Sequence, residues 1–255
     1  MKKKITLLFM LFLLISGCSL TPTEHTAKLI NIEEKEEPPI DFMPRSLTIV
    51  SIGDSLTKGV GDSKNEGGYN PYLKTKLEAM ENIKEVTIEN YGVSGNRSDQ
   101  LMDRLQEDDV KKAVKRADIV IMTIGGNDIM EIFRDNFANL HLALFDQAKA
   151  EYKERLKMIL QTVNQENPSA RIILVGIYNP FTKWFANIEE LNHIIHEWNE
   201  MSKQLVTQVD GEFVPIADIF EQEEDLLHTD YFHPNDRGYE LIAERLFEQI
   251  TTKNE

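Results

Sequence analysis

Cysteine is almost absent from this chain of 255 residues, since Cys18 is its single one. One cysteine excludes both an internal disulfide and a cysteine-based zinc site. Basic side chains are also in the minority, with 28 lysines and arginines against 43 acidic residues and a formal net charge of -15. This balance argues against a nucleic-acid partner, because phosphate contacts require clustered lysine and arginine. No repeat of fixed period is present either, which argues against solenoids and propellers.

The N-terminal segment has the pattern of an export signal. Lysines at positions 2–4 precede an apolar run from Ile5 to Ile15, which is too short to cross a bilayer core of about 20 residues. The run leads through small residues into Cys18, and this arrangement resembles the lipobox of bacterial lipoproteins, in which the cysteine is lipidated. The resemblance implies a signal peptide over residues 1–17 and a lipid anchor on Cys18 at the extracytoplasmic face of the cell membrane. A plain secretory signal with an incidental cysteine is the alternative.

Residues 18–45 are expected to comprise the lipidated cysteine and a disordered linker. This segment is rich in glutamate and proline and has few apolar residues that could pack. The remaining domain is expected over residues 46–252. Hydrophobic residues make up 41% of the chain, which is enough to bury a core of its own.

Short β-branched runs alternate with longer segments of helical spacing throughout this domain. The runs predicted to be strands are Leu47–Ile52, Val86–Tyr91, Ile119–Ile124, Arg171–Ile177 and Glu212–Ile216. Strands and helices in alternation predict an α/β fold, with a five-stranded parallel sheet between two helical layers. Ligands bind such sheets at the carboxyl ends of the strands, so we expect a functional site in the segments that follow them.

Four segments, near strand ends or near the C-terminus, carry side chains that could take part in catalysis. They are Gly53–Gly59, Gly92–Asn96, Gly125–Asp128 and Asp230–Asn235. In this order they resemble the four signature blocks of the SGNH (GDSL) hydrolase superfamily, and the resemblance extends from Leu47 to about Ile250. It implies a flavodoxin-like three-layer fold and a bacterial lipoprotein of the GDSL-type esterase or lipase class.

Ser55, His233 and Asp230 are the catalytic triad that the resemblance implies. A serine hydroxyl becomes an effective nucleophile when a neighbouring base accepts its proton. His233 suits that role because the ordinary pKa of histidine, about 6.5, is close to working pH. Asp230 is expected to fold back on one helical turn and to accept the other imidazole N–H. His228 is the rival base, and an ordinary exposed histidine is the alternative for His233.

The oxyanion hole that the resemblance implies consists of the backbone N–H groups of Ser55 and Gly95 and the side-chain amide of Asn127. Such donors stabilise the negative charge that develops during acyl transfer. Gly95 as an ordinary turn glycine and Asn127 as a helix cap are the alternatives. Asp54 and Asp128 flank proposed site residues without an evident proton to move, so we expect them to be structural supports.

Two apolar segments are candidates for an acyl pocket. One is the aromatic-rich segment Ile177–Phe185, which follows the fourth predicted strand. The other is a helical stripe after the third strand, formed by Ile132, Phe133, Phe137, Leu140 and Leu144. Stripes with this spacing are more often core than ligand groove, so substrate contact and core packing both stay open.

Two further patterns are not expected to carry chemistry. His193 and His196 are three positions apart, but their order matches no zinc-protease motif, so a solvated helix face is expected. The loop Gly59–Gly68 is rich in glycine but lacks the phosphate-binding pattern, and we expect it to shape the rim of the site.

The sequence thus predicts a surface-tethered serine esterase or lipase that uses no metal and no cofactor. The expected substrate is a small-molecule or lipid ester, with a lysophospholipid as one candidate. A carbohydrate or cell-wall O-acetyl esterase and a non-catalytic binding lipoprotein are the alternatives. Membrane contact is expected through the lipid anchor, and the sequence leaves the oligomeric state open.

Overall fold

A parallel sheet forms the centre of the molecule. The computed structural model describes residues 43–136, 139, 141–180, 189–222 and 225–252. Its strands are β1 (Arg45–Gly53), β2 (Ile83–Gly92), β3 (Ile119–Thr123), β4 (Arg171–Val175) and β5 (Glu212–Val214). They lie in the order β2-β1-β3-β4-β5 and all pair in parallel. The strand order changes direction at β1, so a crevice is expected between the ends of β1 and β3.

Helices cover both faces of this sheet. In chain order they are α1 (Ser55–Lys58), α2 (Tyr69–Glu78), α3 (Ser98–Arg104), α4 (Asp108–Arg116), α5 (Gly126–Asn136), α6 (Leu142–Glu166), α7 (Glu189–Thr207), α8 (Ala217–Gln222) and α9 (Asp236–Thr252). Helices α3 to α7 pack on one face, and α2, α8 and α9 pack on the other. The predicted three-layer α/β/α fold with a five-stranded parallel sheet is therefore confirmed.

The central strands divide their side chains between two hydrophobic cores. Val120 and Met122 of β3 lie in the core under α3 to α7, whereas Ile119 and Ile121 lie in the core under α2, α8 and α9. Successive side chains of a strand point to opposite faces, so a strand covered on both faces has to be apolar throughout. This requirement explains the uninterrupted β-branched runs of the sequence.

The carboxyl ends of β1, β2 and β3 lie side by side, and we call this edge of the sheet the functional edge. Gly53 at the end of β1 pairs with Gly92 of β2 on one side and with Thr123 of β3 on the other. The segments that leave these three strands therefore begin side by side. The fold therefore brings together the first three signature blocks, which are Gly53–Gly59, Gly92–Asn96 and Gly125–Asp128.

The fourth and fifth strands are shorter than predicted. Strand β4 ends at Val175 because the backbone N–H and C=O of Ile177 are bonded to the Asn199 side chain, each at 2.8 Å, instead of to a strand. Strand β5 ends at Val214, and Pro215 follows it without an N–H to continue the ladder.

The predicted signal peptide over residues 1–17, the predicted lipidation site Cys18 and almost all of the predicted linker lie outside the described residues. In the part of the chain that the structure covers, no helix is long and apolar enough to cross a membrane.

Candidate active site

Ser55 is the first residue of α1, directly after β1. Gly53 precedes this turn with φ +136°, and a side chain there would collide with the backbone oxygen of Thr123. Glycine is therefore required for β1 to pass this close to β3. Asp54 caps α1, since its carboxylate accepts the N–H of Leu56 at 3.0 Å. The turn holds Ser55 in a buried position, with 3% of its surface exposed.

A buried chain of hydroxyl groups stabilises the turn that carries Ser55. Thr123 Oγ1 donates to Asp54 Oδ1 at 2.7 Å and lies 2.8 Å from Thr57 Oγ1, which in turn lies 3.0 Å from the hydroxyl of Tyr69. Burial raises the pKa of the Asp54 carboxyl above its ordinary value, although hydrogen bonds from Thr123 and Leu56 and the charge of His233 oppose the rise. Asp54 is thus the structural support that the sequence predicted.

Asp230 and His233 lie on one turn between α8 and α9. His233 Nδ1 is 2.6 Å from Asp230 Oδ2, while Asp230 Oδ1 accepts the backbone N–H groups of Phe232 and His233 at 2.9 and 3.0 Å. Burial raises the pKa of the Asp230 carboxyl, but these hydrogen bonds outweigh burial, so its pKa lies below the ordinary value. Because an ionised carboxylate only accepts hydrogen bonds, Nδ1 carries the hydrogen and Nε2 is left as the basic nitrogen.

The expectation of a helical turn between the acid and the base is wrong. Tyr231 has a positive φ of 55°, so the backbone leaves the right-handed helical region directly after Asp230. The rival base, His228, has its Nδ1 4.0 Å from Asp230 Oδ1, which is beyond hydrogen-bond distance. His233 is therefore the histidine that Asp230 orients.

Gly95 and Asn127 lie on the neighbouring turns after β2 and β3. Gly95 has φ +78° in a turn closed by the hydrogen bond from Asn96 N to Val93 O at 3.2 Å. A Cβ on Gly95 would meet no atom within 4 Å, so its backbone angle, rather than crowding, favours glycine.

The side chain of Asn127 does not serve as a helix cap. It lies inside the first turn of α5, and its Nδ2 donates to the backbone oxygen of Asn96 at 3.0 Å. A cap would instead accept a backbone N–H. The hydrogen bond uses one of the two amide hydrogens and leaves the second available as a donor.

Asp128 stabilises the turns that carry Gly95 and Asn127. Its carboxylate accepts the backbone N–H and the hydroxyl of Ser98 at 3.0 and 2.5 Å, and the Arg155 guanidinium lies 3.8 Å away. Burial raises the pKa of Asp128 to about 6, although Ser98 and Arg155 oppose the rise. Like Asp54, this residue is a structural support, as predicted.

Ser55 and Asn127 open into one cavity of about 640 Å³, including its open mouth. Its walls are mainly apolar and come from α5, α7 and the segment after β4. The apolar wall residues are Leu56, Ile124, Ile129, Met130, Phe133, Ile177, Tyr178, Pro180, Leu191, Ile195 and Phe232. The lining, apolar walls with a few polar groups, is typical of a small-molecule site.

The cavity walls agree in part with the sequence prediction. Phe133 and the start of the segment Ile177–Phe185 line the cavity, whereas Ile132 and Leu144 pack in or against the hydrophobic core. Phe137, Leu140 and residues 181–185 lie outside the described residues. The sequence did not identify Ile129, Met130, Leu191 and Ile195 as wall residues, because a cavity wall and a core face have the same helical spacing.

Tyr178 links the cavity wall to the Asp230–His233 turn. Its hydroxyl donates to the backbone oxygen of Phe232 at 2.5 Å, and its ring stacks on Phe220 at 4.0 Å. Phe232 itself lines the cavity beside Ser55. The turn that carries His233 is thus fixed to the wall of the cavity that Ser55 also lines.

The glycine-rich loop packs on the outer side of this turn. Gly61 has φ +96°, and a side chain there would meet the Pro234 backbone and approach the His233 Cβ to 3.3 Å. After the turn, Asn235 caps α9, because its Oδ1 accepts the N–H of Gly238 at 3.0 Å.

The predicted residues are therefore gathered at one edge of the sheet, but one contact is missing. Over the described ranges, no hydrogen bond joins the Ser55 hydroxyl to the His233 ring, whose bonded partner is Asp230. Catalytic hydrogen bonds are often long without substrate and tighten in the complex. Across the same ranges, no group of three His, Cys, Asp or Glu side chains is arranged to hold a metal ion. His193 lies on an exposed face of α7, 3.4 Å from Glu197.

Comparison with known proteins gives consistent matches. The sequence profile of the GDSL-like lipase/acylhydrolase family matches residues 51–241. The uncharacterized protein YpmR of Bacillus subtilis is 36% identical over 244 residues, covering 94% of this chain and 92% of the relative. The spore germination lipase LipC of Bacillus licheniformis is 29% identical over 206 residues, covering 79% of this chain and 95% of the relative. Among solved structures, the lipase Lip_vut3 from a goat rumen metagenome superposes with a TM-score of 0.71 at 27% identity, covering 78% of this chain and 95% of that one.

Proposed function

The chain belongs to the GDSL-like lipase/acylhydrolase family and is a carboxylic ester hydrolase, and we propose that Ser55, His233 and Asp230 are its catalytic triad. The observation that carries the proposal is the 2.6 Å contact between His233 Nδ1 and Asp230 Oδ2, on a turn whose Phe232 lines the same cavity as Ser55. The contact orients the imidazole and leaves Nε2 to accept a proton. A non-catalytic binding role is not part of the proposal.

In the proposed mechanism, Ser55 Oγ attacks the carbonyl carbon of the ester while His233 Nε2 takes the hydroxyl proton. The tetrahedral intermediate collapses with cleavage of the bond between that carbon and the alcohol oxygen, and the alcohol leaves with the proton from His233. Water then attacks the acyl-enzyme, gives its proton to His233, and the carboxylic acid departs as Ser55 recovers its hydrogen. Asp230 stays ionised and stabilises the imidazolium in both steps.

The oxyanion of each intermediate is proposed to be bound by the backbone N–H groups of Ser55 and Gly95 and by the Asn127 amide. Support comes from the hydrogen bond that holds Asn127 on the Asn96 backbone, which fixes the direction of the remaining amide hydrogen. A preorganised donor is effective because it needs no rearrangement as charge develops. Loss of one such donor typically costs about 3–4 kcal/mol of transition-state stabilisation.

The acyl group of the substrate is proposed to occupy the apolar cavity between α5 and α7. Walls of Ile129, Phe133, Leu191 and Ile195 favour a hydrocarbon chain over an acetyl group, because each buried methylene contributes about 0.8 kcal/mol. The apolar lining supports a lipid or lysophospholipid ester as the substrate over an acetylated carbohydrate. We further propose that the enzyme is exported and held at the membrane by a lipid on Cys18, on the strength of the lipobox-like sequence.

A serine-directed fluorophosphonate tests the triad directly. We expect the full chain to be labelled on Ser55, Ser55→Ala to lose the label, and its ester hydrolysis to fall by about three orders of magnitude or more. Ser94→Ala is the matched control, since Ser94 is an exposed serine on the neighbouring turn and its removal should leave labelling intact. Labelling that persists in Ser55→Ala would refute the assignment.

A further inference from the structure

The loop that carries Asp230 and His233 determines its own shape through hydrogen bonds. His228 N donates to His233 O at 2.7 Å, and Asp230 Oδ1 accepts the N–H groups of Phe232 and His233. Each of these bonds joins residues of one short segment. They hold the acid against the base, but they do not fix the position of His233 relative to Ser55, which lies on a distant part of the chain.

Tyr178 joins this loop to the segment that follows β4. Its hydroxyl donates to Phe232 O at 2.5 Å, across 54 positions of the sequence. Phe232 directly precedes His233, and the two rings meet edge-on with their centroids 4.9 Å apart. The carbonyl that accepts this hydrogen bond and the backbone nitrogen of His233 belong to one peptide group. The bond therefore acts directly beside the base.

Tyr178 can hold the loop because its own position is fixed. The residue is 5% exposed, and its ring stacks on Phe220 of α8 with the ring centroids 4.0 Å apart. On its N-terminal side, the backbone N–H and C=O of Ile177 are both bonded to the Asn199 side chain of α7 at 2.8 Å. Helices from both layers thus hold the residue that donates to the loop.

The contact with the loop depends on the hydroxyl group and not on the ring. A phenylalanine at position 178 would keep the stack on Phe220 but would remove the hydrogen bond to Phe232 O. Burial is the main cause that raises the pKa of the Tyr178 hydroxyl well above its ordinary value, so this group keeps its hydrogen and stays a donor. One substitution can therefore separate the hydrogen bond from the packing.

The position of the base matters because proton transfer requires His233 Nε2 within hydrogen-bond distance of the Ser55 hydroxyl. We propose that Tyr178 is a positioning residue, whose hydroxyl holds the peptide group between Phe232 and His233 and so keeps the imidazole in reach of Ser55. It acts through His233 and not on the ester bond. This inference rests on the proposed function and adds a further residue to the same site.

Tyr178→Phe in the full chain tests this role with 4-nitrophenyl octanoate. We expect kcat, expressed per Ser55 titrated to completion with the fluorophosphonate, to fall by about ten- to a hundredfold, because the base is displaced. KM should stay within about twofold, because the cavity keeps its ring. A kcat within about twofold of that of the unaltered chain would overturn the inference, as would a rise in KM alone, which would make Tyr178 only a wall residue.

Tyr91→Phe is the matched control for the loss of a hydroxyl group. The Tyr91 hydroxyl contacts Glu89 Oε2 at 3.1 Å on β2, so its removal should change neither kcat nor KM. An equal fall of kcat in Tyr91→Phe would contradict a specific role of Tyr178.

A second background separates positioning from general packing. Asp230→Asn removes the acid that orients His233, so a residue that acts through His233 has little left to contribute there. We expect Tyr178→Phe to lower kcat/KM by less than about threefold in the Asp230→Asn chain. An equal loss in both backgrounds would overturn the inference, since a packing defect does not depend on Asp230. If the unaltered chain takes no fluorophosphonate label on Ser55, the proposed function itself fails.

Discussion

At the scale of single residues, the site depends on carboxylates held away from water. Asp128 is 5% exposed, and burial raises its pKa to about 6. In the unfolded chain the same group has the ordinary aspartate pKa near 4. The folded state therefore binds a proton over a pH range in which the unfolded state has already released it. Below the unfolded pKa the stabilisation from this proton is fully present, and it is lost as the pH rises through about 6.

This difference predicts a pH-dependent effect of Asp128→Asn. The shift of about 2 pKa units corresponds to roughly 3 kcal/mol of unfolding free energy. We expect the variant to gain stability relative to the unaltered chain between pH 4 and pH 7, by about 1–3 kcal/mol. Urea unfolding of both proteins at several pH values in this window gives the difference. A difference that does not change with pH would show that Asp128 is not protonated in the folded state.

Some features of this part of the site could be predicted from the identity of its residues, and others could not. The roles of Asp54 and Asp128 as supports followed from their positions beside Ser55 and Asn127. The conformation of Tyr231 could not be predicted, because the hydrogen bonds that impose it come from Asp230, and a tyrosine carries no local preference for it.

At the scale of helices and strands, α5 and α7 determine the shape of the acyl cavity. Both begin at the functional edge of the sheet, and both present apolar side chains to the space beside Ser55. Leu191 and Ile195 are four positions apart, so they share one face of α7. Under the proposed function, this wall would set the length of acyl chain that the enzyme accepts.

From this wall we predict a preference for longer acyl chains, and we predict that a substitution in the wall removes it. With 4-nitrophenyl esters, we expect kcat/KM for octanoate to exceed that for acetate by about tenfold or more, because added methylenes are buried. Leu191→Trp should abolish most of this preference by filling the cavity. Glu200→Trp places the same ring on the exposed face of α7 and should leave it intact. A preference of the unaltered chain for acetate would instead favour an O-acetyl esterase.

Most helices and strands could be predicted, because the spacing of apolar residues along the chain follows which side chains are buried. The three central strands are buried on both faces, and their apolar runs identified them. The end of β4 was not predictable, because the group that takes over the bonds of Ile177 is the side chain of Asn199, 22 positions away. Local sequence does not contain such a contact.

At the scale of the whole molecule, the proposed lipid on Cys18 decides where the enzyme works. A net charge of -15 gives the chain no electrostatic attraction to an anionic membrane surface. Membrane residence would therefore depend on the anchor.

Replacing Cys18 tests this dependence. In a bacterial host that processes lipoproteins, we expect the unaltered chain in the membrane fraction, released by detergent but not by salt. Cys18→Ser should move it to the soluble or secreted fraction with ester hydrolysis preserved. Ser19→Ala, at the adjacent position, is the control and should remain with the membrane. Membrane residence of Cys18→Ser would contradict lipid anchoring at this residue.

Apart from Phe232, the cavity wall and the Asp230–His233 turn come from separate stretches of the chain. The wall is mainly built from residues 124–195, and the turn lies within residues 225–235. Changes in the first stretch would alter which acid is accepted, whereas the second stretch carries Asp230 and His233 of the proposed triad and has to be kept for hydrolysis. A lineage could thus acquire a new acyl preference through the first stretch alone, and a mutant library could diversify that stretch without altering the Asp230–His233 turn.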